Sequence, residues 1–82
     1  MRIPLIIGAT PSNFNGGSLV PLAAGKWKVS REGSDGLNFL LETDHEFEWV
    51  EPDILEVKEN TRIRVKSLEG SGEFLNLYLE AA

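Results

Sequence analysis

The chain has 82 residues, no cysteine and a formal net charge of −5. This length accommodates one domain, residues 1–82. Its hydrophobic core is expected to be small, because a short chain buries a smaller fraction of its surface on folding. The lack of cysteine excludes disulfides, thiolate zinc sites and cysteine nucleophiles, and the acidic balance disfavours binding to nucleic acid. The apolar run at residues 3–7 is too short for a signal peptide or a membrane span. We therefore expect a cytoplasmic protein without a membrane partner.

Alternation of apolar and polar residues between turn residues predicts an all-β fold, an antiparallel β-sandwich or small barrel of about seven to eight short strands. In chain order the predicted strands are residues 2–7, 19–22, 26–31, 37–42, 46–50, 54–58, 62–67 and 74–80. Pro4 and Pro21 cannot donate ladder hydrogen bonds, so residues 1–22 are expected to form an arm or an edge segment. Short turns between the last five strands favour antiparallel hairpins.

The same alternation predicts which side chains face the core. Most strands have one apolar face, and the predicted inward residues are Trp27, Val29, Leu37, Phe39, Leu41, Phe47, Trp49, Leu55, Val57, Ile63, Val65, Leu75, Leu77 and Leu79. Leu40 lies on the other face of its strand and is expected to be partly covered. Phe74 and Tyr78 make the second face of the last strand apolar, so we expect another segment or another chain to cover it.

Two sites could suggest a bound metal. His45 is the single histidine and lies between Asp44 and Glu46 in a predicted turn. A second histidine or a cysteine, which a typical transition-metal site requires, is missing, so an exposed turn histidine is the favoured interpretation. Asp35 lies in a GSDG turn without the other ligands of a calcium-binding loop. We therefore predict no metal site.

Carboxylates are dense between Glu42 and Glu59. A glycosidase would need two of them facing each other across a cleft, with one desolvated. Glu46 and Glu48 share a strand face merely because side chains alternate along a strand, which favours a solvated acidic face. The glycine pairs also lack the lysine and helix of a phosphate-binding loop. We predict no catalytic residue and no cofactor, hence no enzyme.

Basic side chains line one face of two predicted strands: Lys26 and Lys28, and then Arg62, Arg64 and Lys66. If these strands were neighbours, five positive charges would meet on one sheet surface. Nucleic-acid binders add exposed aromatic residues to such a surface, whereas Trp27 points away from the lysines. Pairing with the acidic face of Glu46 and Glu48 is therefore the favoured interpretation, and it would stabilise the sheet.

Apolar residues near both ends of the chain have no obvious place in so small a core. They are the predicted contact residues of an interface: Ile3, Leu5, Ile7, Phe14, Phe74 and Tyr78. Phe14 has a second interpretation, in which it plugs one end of the sandwich. The favoured function is a non-enzymatic structural protein that forms homo-oligomers or docks on a larger protein assembly. The alternative is a carbohydrate-binding module, which requires an exposed Trp27 or Trp49 beside carboxylates.

The order of these features resembles the small virion accessory proteins of tailed phages, which decorate capsids or join head and tail parts. The resemblance lies in an apolar start with a Gly-rich loop, a Leu-x-Pro-Leu-x-x-Gly approach to a tryptophan strand (residues 19–27) and an aromatic strand after Glu42. The chain then continues with a basic strand, a Gly-Ser loop and a final strand (residues 62–80). The resemblance implies a β-sandwich that oligomerises or docks on a shell, located in the virion.

Overall fold

The computed structural model describes residues 1–33, 36–71 and 75–82. Within them lie eight strands and one 3-10 turn, Pro11–Asn13. The strands are β1 (Ile3–Ala9), β2 (Val20–Leu22), β3 (Gly25–Gly33), β4 (Leu37–Thr43), β5 (Phe47–Glu51), β6 (Ile54–Val57), β7 (Thr61–Gly70) and β8 (Leu75–Ala81). One sheet has the order β1-β8-β3-β6-β5 and the other β2-β7-β4, with antiparallel pairs throughout. The two sheets pack against each other without closing into a barrel, which confirms the all-β sandwich.

The predicted hairpins between the last five strands are mostly wrong. Among these strands, β5 and β6 are the sequence neighbours that pair. β4 instead pairs with β7, while β8 lies between β1 and β3. A short turn can either place the next strand beside the last one or lead the chain across to the facing sheet. Turn residues therefore predict where the chain reverses, but they do not predict which sheet the next strand joins.

The core follows the predicted alternation closely. Its buried apolar residues are Leu5, Leu22, Val29, Leu37, Leu55, Val57, Ile63, Val65, Leu68, Leu75, Leu77 and Leu79. Most of them were predicted to face inward. Trp27, Phe39, Leu41 and Phe47 pack against this cluster while remaining partly exposed. β7, which is the middle strand of its sheet, and β8, which lies between two strands of the other, supply half of the cluster.

The segment 1–22 supplies an edge strand to each sheet, as its prolines predict. β1 contains Pro4 and lies at the edge of the five-stranded sheet, while β2 contains Pro21 and lies at the edge of the other. The loop between them is held at Gly17, whose N–H donates to the Val65 carbonyl oxygen at 3.0 Å. A Cβ at position 17 would lie 3.1 Å from both the Leu5 oxygen and the Val65 nitrogen. Glycine at this position therefore lets the loop approach both sheets closely.

Candidate interaction surfaces

Four strands have a free edge in the described part of the chain: β1 and β5 in one sheet, β2 and β4 in the other. A free edge exposes unpaired N–H and C=O groups, which can pair with another chain unless the strand is protected. β2 is three residues long with Pro21 at its centre. β1 contains Pro4, and its register with β8 is interrupted twice. Both of these edges are poor templates for a further strand.

The edge of β4 is unprotected. Its seven residues, LNFLLET, include neither proline nor glycine, and their one charge is on Glu42. That carboxylate accepts a hydrogen bond of 2.9 Å from Arg64 on β7, so the charge is paired within its own sheet. Its register with β7 shifts once, between Leu40 and Leu41, where β7 has one extra residue and β4 has none. A strand with high β-propensity and little charge is the type that other strands join.

Leu40 projects from the middle of β4 and is 57% exposed. The expectation that it is partly covered is wrong for the single chain. Its partner on β7 is Ser67, which is too small to shield it, and no described residue pairs with β4 on the other side. On the opposite face Phe39 and Leu41 pack against the core but remain partly exposed. The free edge is therefore apolar on both of its faces.

Arg31 holds one end of β4 against the facing sheet. From β3, its guanidinium donates a hydrogen bond of 2.7 Å to the Leu37 carbonyl oxygen and lies 5.4 Å from the centre of the Phe39 ring. The sequence places Arg31 only at the end of a strand, and nothing in its local pattern predicts this role. The contact fixes the first residue of β4 and leaves the middle of the strand accessible.

The second long free edge, β5, lies at the far side of the five-stranded sheet. Trp49 was predicted to be in the core, but it is 44% exposed, and this prediction is wrong. The predicted strand face of Trp49 is nevertheless correct, because Leu55, its cross-strand partner, is fully buried. Five strands face only three, so a side chain on the outermost strand extends beyond the cover of the smaller sheet. Phe47 stays partly buried, and its ring stands at 78° to that of Trp49.

Charge distinguishes β5 from β4. Glu48 and Glu51 lie along β5, and both are exposed, as predicted for Glu48. Glu48 lies directly opposite Glu56 of β6. Like charges in this position destabilise a sheet, and the Nζ of Lys58 lies 3.8 Å from the Glu48 carboxylate. The β5 edge is therefore acidic, and it repels a strand of the same kind.

The two basic strand faces do not meet. Lys26 and Lys28 lie on β3, whereas the other three basic residues lie on β7 in the opposite sheet. The predicted pairing of these residues with Glu46 and Glu48 is wrong, because Arg62 and Arg64 pair instead with carboxylates on and just after β4. Arg62 donates to Asp44 at 2.7 Å, and this hydrogen bond raises the pKa of the Arg62 guanidinium above its ordinary value.

His45 lies in an exposed turn, as predicted, with its Nδ1 3.2 Å from a Glu59 carboxylate oxygen. The turn is anchored by Thr61, whose hydroxyl oxygen accepts hydrogen bonds from the backbone N–H groups of Asp44 and His45. Thr61 is the one buried polar side chain among the described residues. In residues 1–33, 36–71 and 75–82, no three His, Cys, Asp or Glu side chains are grouped to hold a metal ion. Asp35 lies outside the described residues.

The predicted contact residues that lie in the described part of the chain differ in their exposure. Leu5 is buried and Ile3 is partly buried, so the core already uses much of the apolar surface of β1. Ile7 projects outward and is 64% exposed. Phe14 packs against the core from the loop before β2, which agrees with its interpretation as a plug.

The second face of β8 is partly covered by the chain itself. The Arg2 guanidinium lies 3.8 Å from the centre of the Tyr78 ring, a cation–π arrangement. Asn76 on the same face accepts a hydrogen bond from the Gly8 N–H at 2.8 Å. The expectation that another segment covers this face is therefore met at both positions. Phe74 lies outside the described residues.

Comparison with known proteins adds no relative. No protein-family model, curated protein or solved structure matches the chain. None of the described helical segments has the length and apolar character needed to cross a membrane. Functional inference therefore rests on the edges and surfaces of the fold.

Proposed function

We propose that this protein is a non-enzymatic interaction domain that self-associates by pairing the free edge of β4. The observation that carries the proposal is the contrast among the four free edges in the described part of the chain. Prolines protect β1 and β2, and exposed acidic residues protect β5. β4 alone offers seven residues without proline or glycine whose one charge is already paired within the sheet. Strand addition supplies main-chain hydrogen bonds, and the alternating side chains add specificity.

This proposal moves the interface away from the ends of the chain. Of the residues that the sequence suggests as contacts, Leu5 is in the core and the ring of Tyr78 is in contact with the Arg2 guanidinium. Leu40, by contrast, is more than half exposed and lies on a strand that can accept a partner. Attachment to a larger protein assembly such as a virion, which the sequence resemblance implies, would use the same kind of strand pairing.

The test is a charge placed on the β4 edge. We expect the protein to self-associate at micromolar concentrations and Leu40→Lys to weaken association at least about tenfold, which corresponds to about 1.4 kcal/mol. A lysine on a free strand edge disfavours edge-to-edge pairing. Sedimentation velocity over a concentration series measures the change, and circular dichroism checks that the fold is intact.

Ile7→Lys is the matched control, because Ile7 is at least as exposed as Leu40 but lies on the protected edge of β1. It should leave association unchanged. A wild-type chain that stays monomeric at high micromolar concentration would contradict the proposal. Equal weakening by both lysines would point instead to unspecific apolar contact.

A carbohydrate-binding module is the second candidate, and the exposure of Trp49 favours it. Its geometry is less favourable: the Phe47 and Trp49 rings meet edge to face, so they do not form one flat stacking platform. Trp27 donates its indole N–H to the Ala23 carbonyl oxygen at 2.9 Å. We expect acrylamide to quench the fluorescence of a Trp27→Phe variant, which retains Trp49, more than that of Trp49→Phe. Soluble oligosaccharides should protect neither, and protection of Trp49 would favour the second candidate.

A further inference from the structure

We infer that the partner of β4 is a second copy of the same strand, antiparallel and related by a twofold axis at Leu40. This inference rests on the proposed self-association and specifies its geometry. The two three-stranded sheets would join into one continuous sheet of six strands. Leu40 of each copy would then cover the same residue of the other.

The backbone of β4 is in the correct phase for this pairing. The Asp44 N–H, just beyond the strand, donates to the Arg62 carbonyl oxygen on β7. Peptide groups of successive residues point to opposite sides of a strand, so residues 38, 40 and 42 turn theirs toward β7. Phe39 and Leu41 turn theirs toward the free edge. Around an axis at Leu40, Phe39 faces the partner's Leu41, and each such pair exchanges two hydrogen bonds.

The side chains also match in this register. Leu40 meets its own copy on the outer face, and Phe39 meets the partner's Leu41 on the inner face. The Asn38 amide, which has two N–H donors, meets the carboxylate of the partner's Glu42. Within residues 38–42 every pair therefore joins apolar with apolar or polar with polar, and at the strand ends Leu37 meets the partner's Thr43.

Other registers lose this match. A shift of one residue places Leu40, which is on the outer face, opposite Phe39 or Leu41, which are on the inner face. A shift of two residues places it opposite Asn38 or Glu42. The pattern of residues 38–42, NFLLE, is thus complementary to itself about its central leucine and about no neighbouring position.

A twofold contact of this kind is self-limiting. It is isologous, so each copy uses the same edge, and both edges are consumed when the pair forms. The dimer would present two acidic β5 edges, which repel strands of their own kind. We therefore expect association to stop at two copies.

Disulfide cross-linking tests the register, because the chain has no native cysteine. In a non-hydrogen-bonded antiparallel pair the two Cα atoms lie about 4.5 Å apart, within the range of about 4.4–6.8 Å that a disulfide accepts. Leu40→Cys should therefore form a covalent dimer under mild oxidation, at least about tenfold faster than the control, Val50→Cys. Val50 is comparably exposed on β5.

A second pair of variants checks the direction of the strands. Asn38→Cys should not cross-link with itself, because residue 38 faces residue 42 of the partner and lies about 13 Å along the strand from its own copy. A mixture of Asn38→Cys and Glu42→Cys should give the mixed dimer. Rapid self-linking of Asn38→Cys would overturn the inferred register.

The outcomes separate this inference from the proposed function. A chain that dimerises in sedimentation while Leu40→Cys links no faster than Val50→Cys overturns the register but leaves self-association standing. A monomeric wild type with equally slow linking overturns both. Preferential linking through position 40, with the mixed 38–42 dimer, supports both.

Discussion

β4 and β5 are consecutive strands joined by a short turn, yet they become free edges of different sheets with opposite character. β4 has an apolar centre and one charge that is paired within its sheet. β5 exposes Trp49 and Val50 to an extent similar to Leu40, but glutamates flank them. Exposed apolar area alone therefore does not distinguish the two edges. The charges along each strand do, because they determine whether a strand of the same kind can approach.

The two edges also differ in how they meet the core. Leu37 of β4 is fully buried and its backbone is held by Arg31 from the facing sheet. β5 has no fully buried side chain, and its main pairing is with β6. β5 thus lies beside the core and contributes little to it, whereas β4 contributes to the core and also has a free edge.

The largest expected effect tests whether β5 contributes little to the stability of the core. Leu55→Ala should destabilise the fold by about 2–5 kcal/mol, since it leaves a cavity in the core. Trp49→Ala, which removes a larger side chain from the neighbouring position, should cost less than about 2 kcal/mol because nearly half of that side chain is already in water. Urea unfolding followed by circular dichroism measures both values.

Val50→Ala provides the control for a change on β5 that touches no core residue, and its effect should be within about 0.5 kcal/mol. A cost for Trp49→Ala equal to that for Leu55→Ala would show that Trp49 is a core residue after all. The contrast between the two edges would then rest on charge alone.

A smaller effect tests the charge on β5. Glu48→Lys replaces a like-charge pair with Glu56 by an opposite-charge pair, but it also removes the contact of Glu48 with Lys58. We therefore expect a gain of no more than about 0.5 kcal/mol in the free energy of unfolding. Dimerisation should not change, because lysine also discourages edge pairing. Urea unfolding and sedimentation velocity measure the two quantities.

Glu51→Lys is the control, because it makes the same charge change on the same strand. The residue opposite Glu51 is Ile54 rather than a carboxylate. Glu51→Lys should therefore stabilise less than Glu48→Lys. Equal gains from both would mean that the net charge of the chain, rather than the pair with Glu56, sets the effect.

Much of the fold could be predicted from the sequence because strand periodicity and proline chemistry are local. Alternation identified the buried faces of β6 and β7, and Pro4 placed β1 at an edge. The assignment of strands to sheets was not predictable in this way, since it depends on which distant segments supply matching apolar faces. The pairing of β4 with β7 rather than with β5 is the clearest case.

The candidate interface was harder to predict for a related reason. Exposure of a side chain depends on what lies opposite it in space: Ser67 leaves Leu40 uncovered, and the narrower sheet leaves Trp49 uncovered. From the sequence, the apolar residues near the ends of the chain had no predicted place in the core. In the structure Leu5 lies in the core and the Tyr78 ring contacts the Arg2 guanidinium. A usable sequence signal did exist, namely an uncharged run of strand-forming residues, LNFLL, whose second face was also apolar.

The position of β1 has a consequence for the order in which the fold forms. Ile3 pairs with Leu79, so the first strand finds its neighbour almost a whole chain length away. Contacts of high sequence separation close late and slow the search for the native state. During synthesis the apolar side of β1 stays unpaired until β8, its neighbour in the sheet, has left the ribosome. The prolines and irregular register of β1, which make it a poor template for other strands, therefore also shield a nascent chain during this interval.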